Sequence, residues 1–408
     1  MKQSLLKNYA ALIVRSGLAV KKGQTVLIRA SVENEAFTAL VVEECYKAKA
    51  KRVIVDWGSE EVTRVAFRRA DKDVLGTLLP YEIEKEKWQN EELPCTLWLD
   101  SDDPDGLGAI DQEKLAYVSA KRRAAIYPYR KLRENKCQWC IAGVPSVAWA
   151  KKVFPGLSKK QAVEKLWEAI LLTSRAADGK GIENWKKHDL NLRERYERLN
   201  AMRLTELHYT SSNGTDLTVG LIPNVRWLGG GESSLKGVYF QPNIPSEEIF
   251  TSPMKGKAEG IVYAAKPLSY NGTLIEDFYV RFHEGKAVEA KAKRGQEALQ
   301  SILEIDEGSA YLGECALVPY DSPINNTGLL FYNTLFDENA ACHLALGMGF
   351  TNLYQDFDKY TEEELHAFGI NESMSHVDFM IGSKDLNIVG KTEDGQIVQI
   401  FKDGNWAF

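Results

Sequence analysis

A chain of 408 residues is long for one domain and suits two, each able to bury its own core. Its 44% hydrophobic and 26% charged content is that of a globular protein, and no long disordered linker is expected. A formal charge of -6 argues against nucleic acid as a partner, and six cysteines are too few for a disulfide framework, so reduced thiols are expected.

The N-terminal residues Met1 to Tyr9 lack an apolar signal-like core, and no apolar run is long enough to span a bilayer, so a cytoplasmic protein without a membrane partner is expected. From Gln3 to Arg15, Leu5, Leu6, Tyr9, Leu12 and Ile13 recur at helical spacing, with Gly17 as a stop. Thr25 to Arg29 reads as a buried strand, Ser31 as a cap, Glu33 to Lys47 as a helix and Arg52 to Asp56 as a second strand. The alternation repeats: Ser59 caps a helix to about Ala70, a charged helix runs from Tyr81 to Gln89, and Cys95 to Leu99 and Trp139 to Ala142 are strands. Ser158 and Gln161 form a capping box that opens a helix to about Thr173. Residues 1–199 are therefore expected to be an α/β domain with a mainly parallel sheet covered by helices.

Nothing in the sequence reads as a nucleotide site. The turn after the first strand, Ala30-Ser31-Val32-Glu33, has no glycine, and neither G-x-G-x-x-G nor a Walker A sequence occurs. Gly229-Gly230-Gly231 has no strand-to-helix context and reads as a plain loop. Cys137 and Cys140 form a C-x-x-C without a second such pair, and on a strand they point to opposite faces, which favours burial over redox or metal use. The basic clusters Lys121-Arg122-Arg123 and Arg193 to Arg198 are read as solvated, the second because Glu194 and Glu197 alternate with it.

After a charged helix from Glu183 to about Asn200, short strands and turns take over. His208 to Thr210, Thr215 to Val219, Gly237 to Phe240, Gly260 to Tyr263 and Phe278 to Phe282 are strand-like, and Asn213-Gly214, Asn271-Gly272 and Glu284-Gly285 supply hairpin turns. Residues 200–408 are expected to be a β-rich α+β domain. It carries four segments in which acids or histidines sit among apolar or small neighbours, where an unpaired charge is costly.

In His376-Val377-Asp378-Phe379-Met380-Ile381 a strand places His376 and Asp378 on one face and the apolar residues on the other. His343 lies in a segment from Asp337 to Gly347 that reads as a capped helix; alone it would better suit a core histidine bonded to a carbonyl. Glu314 has apolar company in Gly313 to Pro319, and Glu247-Glu248 opens a turn after Pro245. Of such an adjacent pair, one acid can bind metal while the other reaches a substrate amine or water. Glu248, Glu314, His343, His376 and Asp378 together suit zinc, manganese or cobalt and exclude a thiolate-rich structural site. Two ions ~3.5–4 Å apart would activate a water and hold the oxygens of a tetrahedral intermediate, which points to hydrolysis at a carbonyl.

Pro245-Ser246-Glu247-Glu248-Ile249-Phe250-Thr251-Ser252-Pro253, Lys266 to Gly272, Gly313 to Pro319, Asn333 to Ala340 and His376 to Gly382, in this order, resemble the M29 metallo-aminopeptidases, a likeness that runs from the N-terminal helix to Asn405-Trp406. The resemblance implies removal of N-terminal residues from short peptides, two divalent metal ions (zinc, cobalt or manganese) and a homodimer. It implies that the ligands are Glu248, Glu314, His343, His376 and Asp378, with Glu248 rather than Glu247 in register. Glu247 is left as a candidate general base beside water activated by the metals alone. One departure is visible: the family pattern has a tyrosine ligand where this chain has Phe350, so a water or Tyr354 would fill its place, or one of the two metals would bind weakly. A weakened, metal-loaded peptide-binding homologue is the alternative this departure opens, and a phosphodiester hydrolase is a third reading that the acidic balance disfavours.

Overall fold

The computed structural model describes residues 1–108 and 110–408, and the chain divides into two compact units. One comprises Met1–Lys186 and Gly231–Pro245, the other Lys187–Gly230 and Ser246–Phe408. The division expected after Leu199 thus falls earlier, within the helix Gly181–Met202, because Leu192 and Leu199 are buried in the second unit's core.

Among its described residues the first unit has one five-stranded sheet in the order Asn243–Ile244, Trp139–Gly143, Cys95–Asp100, Thr25–Ser31 and Arg52–Gly58, with every pair parallel. Parallel neighbours need long crossovers. Glu35–Lys47 supplies the first, and Glu60–Arg69, Lys72–Gly76 and Pro80–Glu92 lie between the second and third strands. Val26, Leu27 and Ile28 are fully buried, as a central parallel strand requires. The expected caps form: Ser59 accepts the Val62 N–H, and Ser158 and Gln161 cap one another.

The helix Gln112–Arg133 has no counterpart in the sequence reading. Its weak apolar stripe buries only Leu115 and Val118, and Pro128 interrupts it, so it carries little periodic signal. Cys137 and Cys140 are free thiols, and burial pushes the pKa of both up, which fits a structural role.

The second unit is a stack of two antiparallel sheets. The larger is nine-stranded among the described residues; its hairpin at Glu284-Gly285 has positive φ at both residues, 49° and 80°, as the sequence pair anticipates. The smaller has five strands in the order His376–Met380, His343–Gly347, Leu312–Leu317, Ile249–Thr251 and Leu228–Gly229. Two local readings are corrected here. The segment holding His343 is not one helix: a single turn, Thr334–Glu338, ends at Asn339, and His343–Gly347 is a fully buried strand. Alanine and leucine permit either state, and pairing on both edges of the strand decides it. Gly229 is likewise not a plain loop residue but an edge-strand residue, where a Cβ would lie 2.6 Å from the Glu248 carbonyl oxygen.

One face of the small sheet enters the core. Ile249, Cys315, Leu317, Leu344, Leu346, Val377 and Phe379 belong to the same buried cluster as Phe278 and Phe282 of the large sheet, and the Phe278 and Phe379 rings are 5.9 Å apart. Each such side chain contributes on the order of 2 kcal/mol by leaving water. Strand alternation then forces Glu314, Ala316, His343, Ala345, His376 and Asp378 onto the opposite face.

A bulge makes that partition possible. Leu312 pairs with Leu346 and Glu314 with Ala345, so Gly313 is the extra residue. Leu312 and Glu314 are two apart and would share a face on a regular strand; the bulge sends Leu312 to the core and Glu314 to the other side. Only glycine fits, since a Cβ at Gly313 would lie 2.2 Å from the Met348 carbonyl oxygen and 2.3 Å from that of Gly347. Gly313→Ala is therefore expected to cost about 2–4 kcal/mol, the range of backbone and overpacking lesions, read as a lowered urea midpoint; an unchanged midpoint would show that the bulge tolerates a side chain.

Candidate metal centre

Five side chains named from the sequence converge on the front of the small sheet. One oxygen or nitrogen from each of Glu248, Glu314 and His343 lie within 4.8 Å of one another, and so do those of Glu314, His376 and Asp378. Glu314 belongs to both triads. All five are buried except His376, whose side chain is 21% exposed and so marks the open side. Small residues make the room: Ala316 lies opposite His343, and Ala345 lies between Glu314 and Asp378.

Both imidazoles are oriented from behind. His376 Nδ1 is 2.8 Å from the Met348 carbonyl oxygen and His343 Nδ1 is 3.2 Å from that of Ala341, so each Nδ1–H donates to backbone and each Nε2 faces the acids. His376 Nε2 is 3.0 Å from Glu314 Oε2 and 3.3 Å from Asp378 Oδ1; His343 Nε2 is 3.2 Å from Glu248 Oε2. Asp378 Oδ1 is buried and still accepts no well-formed hydrogen bond. A buried carboxylate oxygen left without a hydrogen bond, with the His376 nitrogen and a Glu314 oxygen converging beside it, is the kind of mixed N/O donor set a divalent ion takes, so the residues fit one.

A sixth group belongs here. Glu338, at the end of the Thr334–Glu338 turn, feels Asp378, Glu248 and Glu314 as neighbouring charges. Burial first, and then those three carboxylates, push its pKa well above the usual range. The signal lay in the sequence segment that drew attention to His343, where Glu338 is also an acid followed by small residues. Asn339 ties this turn to the next segment: its Oδ1 accepts the Glu247 N–H at 2.7 Å, and its Nδ2 donates to Glu338 Oε1 at 3.3 Å.

Glu247 itself joins neither triad. Its carboxylate lies 3.6 Å from Nε2 of His188, on the Gly181–Met202 helix, and that nitrogen is 2.8 Å from the Ser246 carbonyl oxygen. Phe350 brings no oxygen: its ring lies 5.0 Å from that of His376, tilted at 47°. Tyr354 does not replace it; its ring packs on Tyr360 and Phe368 in a separate small core.

A profile of one protein family, described as thermophilic metalloprotease (M29), matches residues 2–406. The chain belongs to the M29 family. Among its M29 relatives, aminopeptidase AmpS of Bacillus subtilis is 41% identical over 404 residues, covering 99% of this chain and 98% of that protein. Aminopeptidase T of Thermus thermophilus is 37% identical, with 98% of both covered. A solved structure of wild-type AmpT from that organism superposes with a TM-score of 0.90 over 99% of each chain. A Pseudomonas putida dihydroxypyridine dioxygenase, with a TM-score of 0.53 at 12% identity, shares the fold alone.

Charge couples the groups of this cluster to one another. Burial works against charge on the imidazoles, yet Asp378 and Glu314 raise the pKa of His376 well above its ordinary value, and Glu248 leads the acids that hold His343 at about 9. A cation must displace these protons, so zinc affinity is expected to rise with pH, with at least about one proton released per ion. Calorimetry in buffers of different ionisation enthalpy measures that number directly; binding with no proton release would contradict the proton-shared cluster.

Proposed function

We propose that the chain is a metal-dependent aminopeptidase that removes the first residue of short peptides at a centre of two divalent ions. The observation that carries this reading is Glu314, shared by two ligand triads, which suits a carboxylate bridging two ions. Glu248 and His343 would complete one site, and His376 and Asp378 the other, with Glu338 as a further oxygen donor once cations offset the crowd of carboxylates. Zinc, cobalt and manganese all suit this mixture of oxygen and nitrogen donors. Ions bound there supply Lewis acidity and an activated water. The family likeness adds a homodimer to the proposal, and sedimentation would check it.

The protein's own groups set the remaining terms. Met348 and Ala341 carbonyls keep both Nε2 atoms aimed inward, and the core behind the sheet keeps the strands from shifting. Glu247 stays paired with His188, and its backbone N–H anchors the turn that delivers Glu248. Glu247→Gln is accordingly expected to lower turnover by less than about tenfold, against the 10²–10⁴-fold a general base contributes.

The assay is release of free amino acid from short peptides, unblocked or N-acetylated, with EDTA and with added Zn²⁺, Co²⁺ or Mn²⁺. Metal-dependent cleavage of the unblocked peptide alone is expected. Glu314→Gln should lower it by more than about 100-fold, the scale on which even groups that merely support ligands act. Absence of cleavage with every metal would sink the proposal in favour of a peptide-binding homologue, the reading that Phe350 against His376 favours in its place.

A further inference from the structure

Two aromatic rings stand beside the ligand cluster and outside the core. In the strand Ile249–Thr251 the flanking residues are buried and Phe250 is only half-buried, because it shares the front face with Glu248. Its register partners are Leu228 of the edge strand and Ala316, whose own partner is His343, so Phe250 lies in a row that runs into the first triad. Phe350 arrives from the other side. Its N–H donates to the Ser252 hydroxyl at 2.8 Å, and Ser252 is fully buried. The Phe350 ring meets Phe250 edge to face at 5.4 Å and His376 at 5.0 Å.

Neither phenylalanine belongs to the two buried apolar clusters around Phe278 and Tyr354 among the described residues, although each is large enough to contribute on the order of 2 kcal/mol if buried. Half-buried aromatic rings next to a few converging polar groups are the usual composition of a ligand pocket. Resting on the aminopeptidase reading, we propose that Phe250 and Phe350 wall the pocket for the side chain of the substrate's first residue, and that the enzyme selects large apolar residues there. The geometry is consistent with the reaction: once a peptide's terminal amine and first carbonyl occupy the triads, the first side chain branches from the carbon between them and must lie against whatever flanks His376 and Glu248. Here that is the aromatic pair.

The test is a series of aminoacyl amides (leucine, phenylalanine, alanine, glutamate, lysine) with the metal-loaded protein. The leucine and phenylalanine amides should exceed the alanine amide in kcat/KM by roughly 10- to 200-fold, the range a hydrophobic pocket supplies. Phe350→Ala and Phe250→Ala should each lower the leucine-to-alanine ratio by roughly tenfold, and Phe350→Leu should restore most of it. Metal content and urea midpoints are followed in parallel. An unchanged ratio with a uniform fall in rate would reduce the pair to a shield over His376 and overturn the proposal, as would a preference of the parent for the glutamate or lysine amide. If no amide is cleaved, the aminopeptidase reading fails on its own account; the same ratio is then read from calorimetric affinities of leucine and alanine hydroxamates, and equal affinities would overturn the pocket as well.

Discussion

The strands Leu312–Leu317, His343–Gly347 and His376–Met380 each have an apolar face pressed into a core and an opposite face that carries ligands, and the backbone between them allows neither face to move alone. Phe379 against Phe278 therefore fixes Asp378, and Leu344 in the same core fixes His343. With every group ionised, Glu248, Glu314, Glu338 and Asp378 outnumber the two imidazolium charges by two. Packing holds these groups together against that excess. The strain shows as displaced proton equilibria: Glu338 and Glu314 are pushed up, while Asp378 is held down by His376 despite its burial. Divalent cations supply the missing positive charge at the place where the core leaves it lacking.

Such preorganisation has a local weak point in Gly313. Without the bulge, Leu312 and Glu314 would demand the same side, and one of them would bring a leucine into the cluster or a carboxylate into the core. The cost of an unpaired buried carboxylate far exceeds that of one displaced ladder bond. A second glycine, Gly229, serves the same sheet by letting the edge strand approach within reach of the Glu248 backbone.

These glycines also mark the limit of what the sequence makes legible. The βαβ alternation, the serine caps, the hairpin turns and the shared face of His376 and Asp378 are written in local periodicity, and the structure has each of them. Grouping Glu248, Glu314 and His343 rests on more than periodicity, because nothing local says that three separate strands will be neighbours; family likeness supplied that order. What was missed is tertiary. The state of the His343 segment depends on strand partners on both sides, and Glu338 becomes a member of the site only because a one-turn helix ends beside Asp378. The Gln112–Arg133 helix buries too little to leave a pattern.

Phe350 shows how the same position can be read in two ways. Judged by the family pattern, it lacks an oxygen. Judged by its surroundings, it is fully engaged: its N–H is held by Ser252, and its ring lies between Phe250 and His376. An apolar ring on one side of His376 excludes water from that flank, which strengthens the electrostatics of the Nε2 nitrogen toward Glu314 and Asp378. The cluster already holds four carboxylates, so oxygen donors are not scarce there, whereas an apolar surface adjoining the charged groups is provided by this aromatic pair. On that comparison the phenylalanine trades a dispensable donor for a surface that a bound side chain can use.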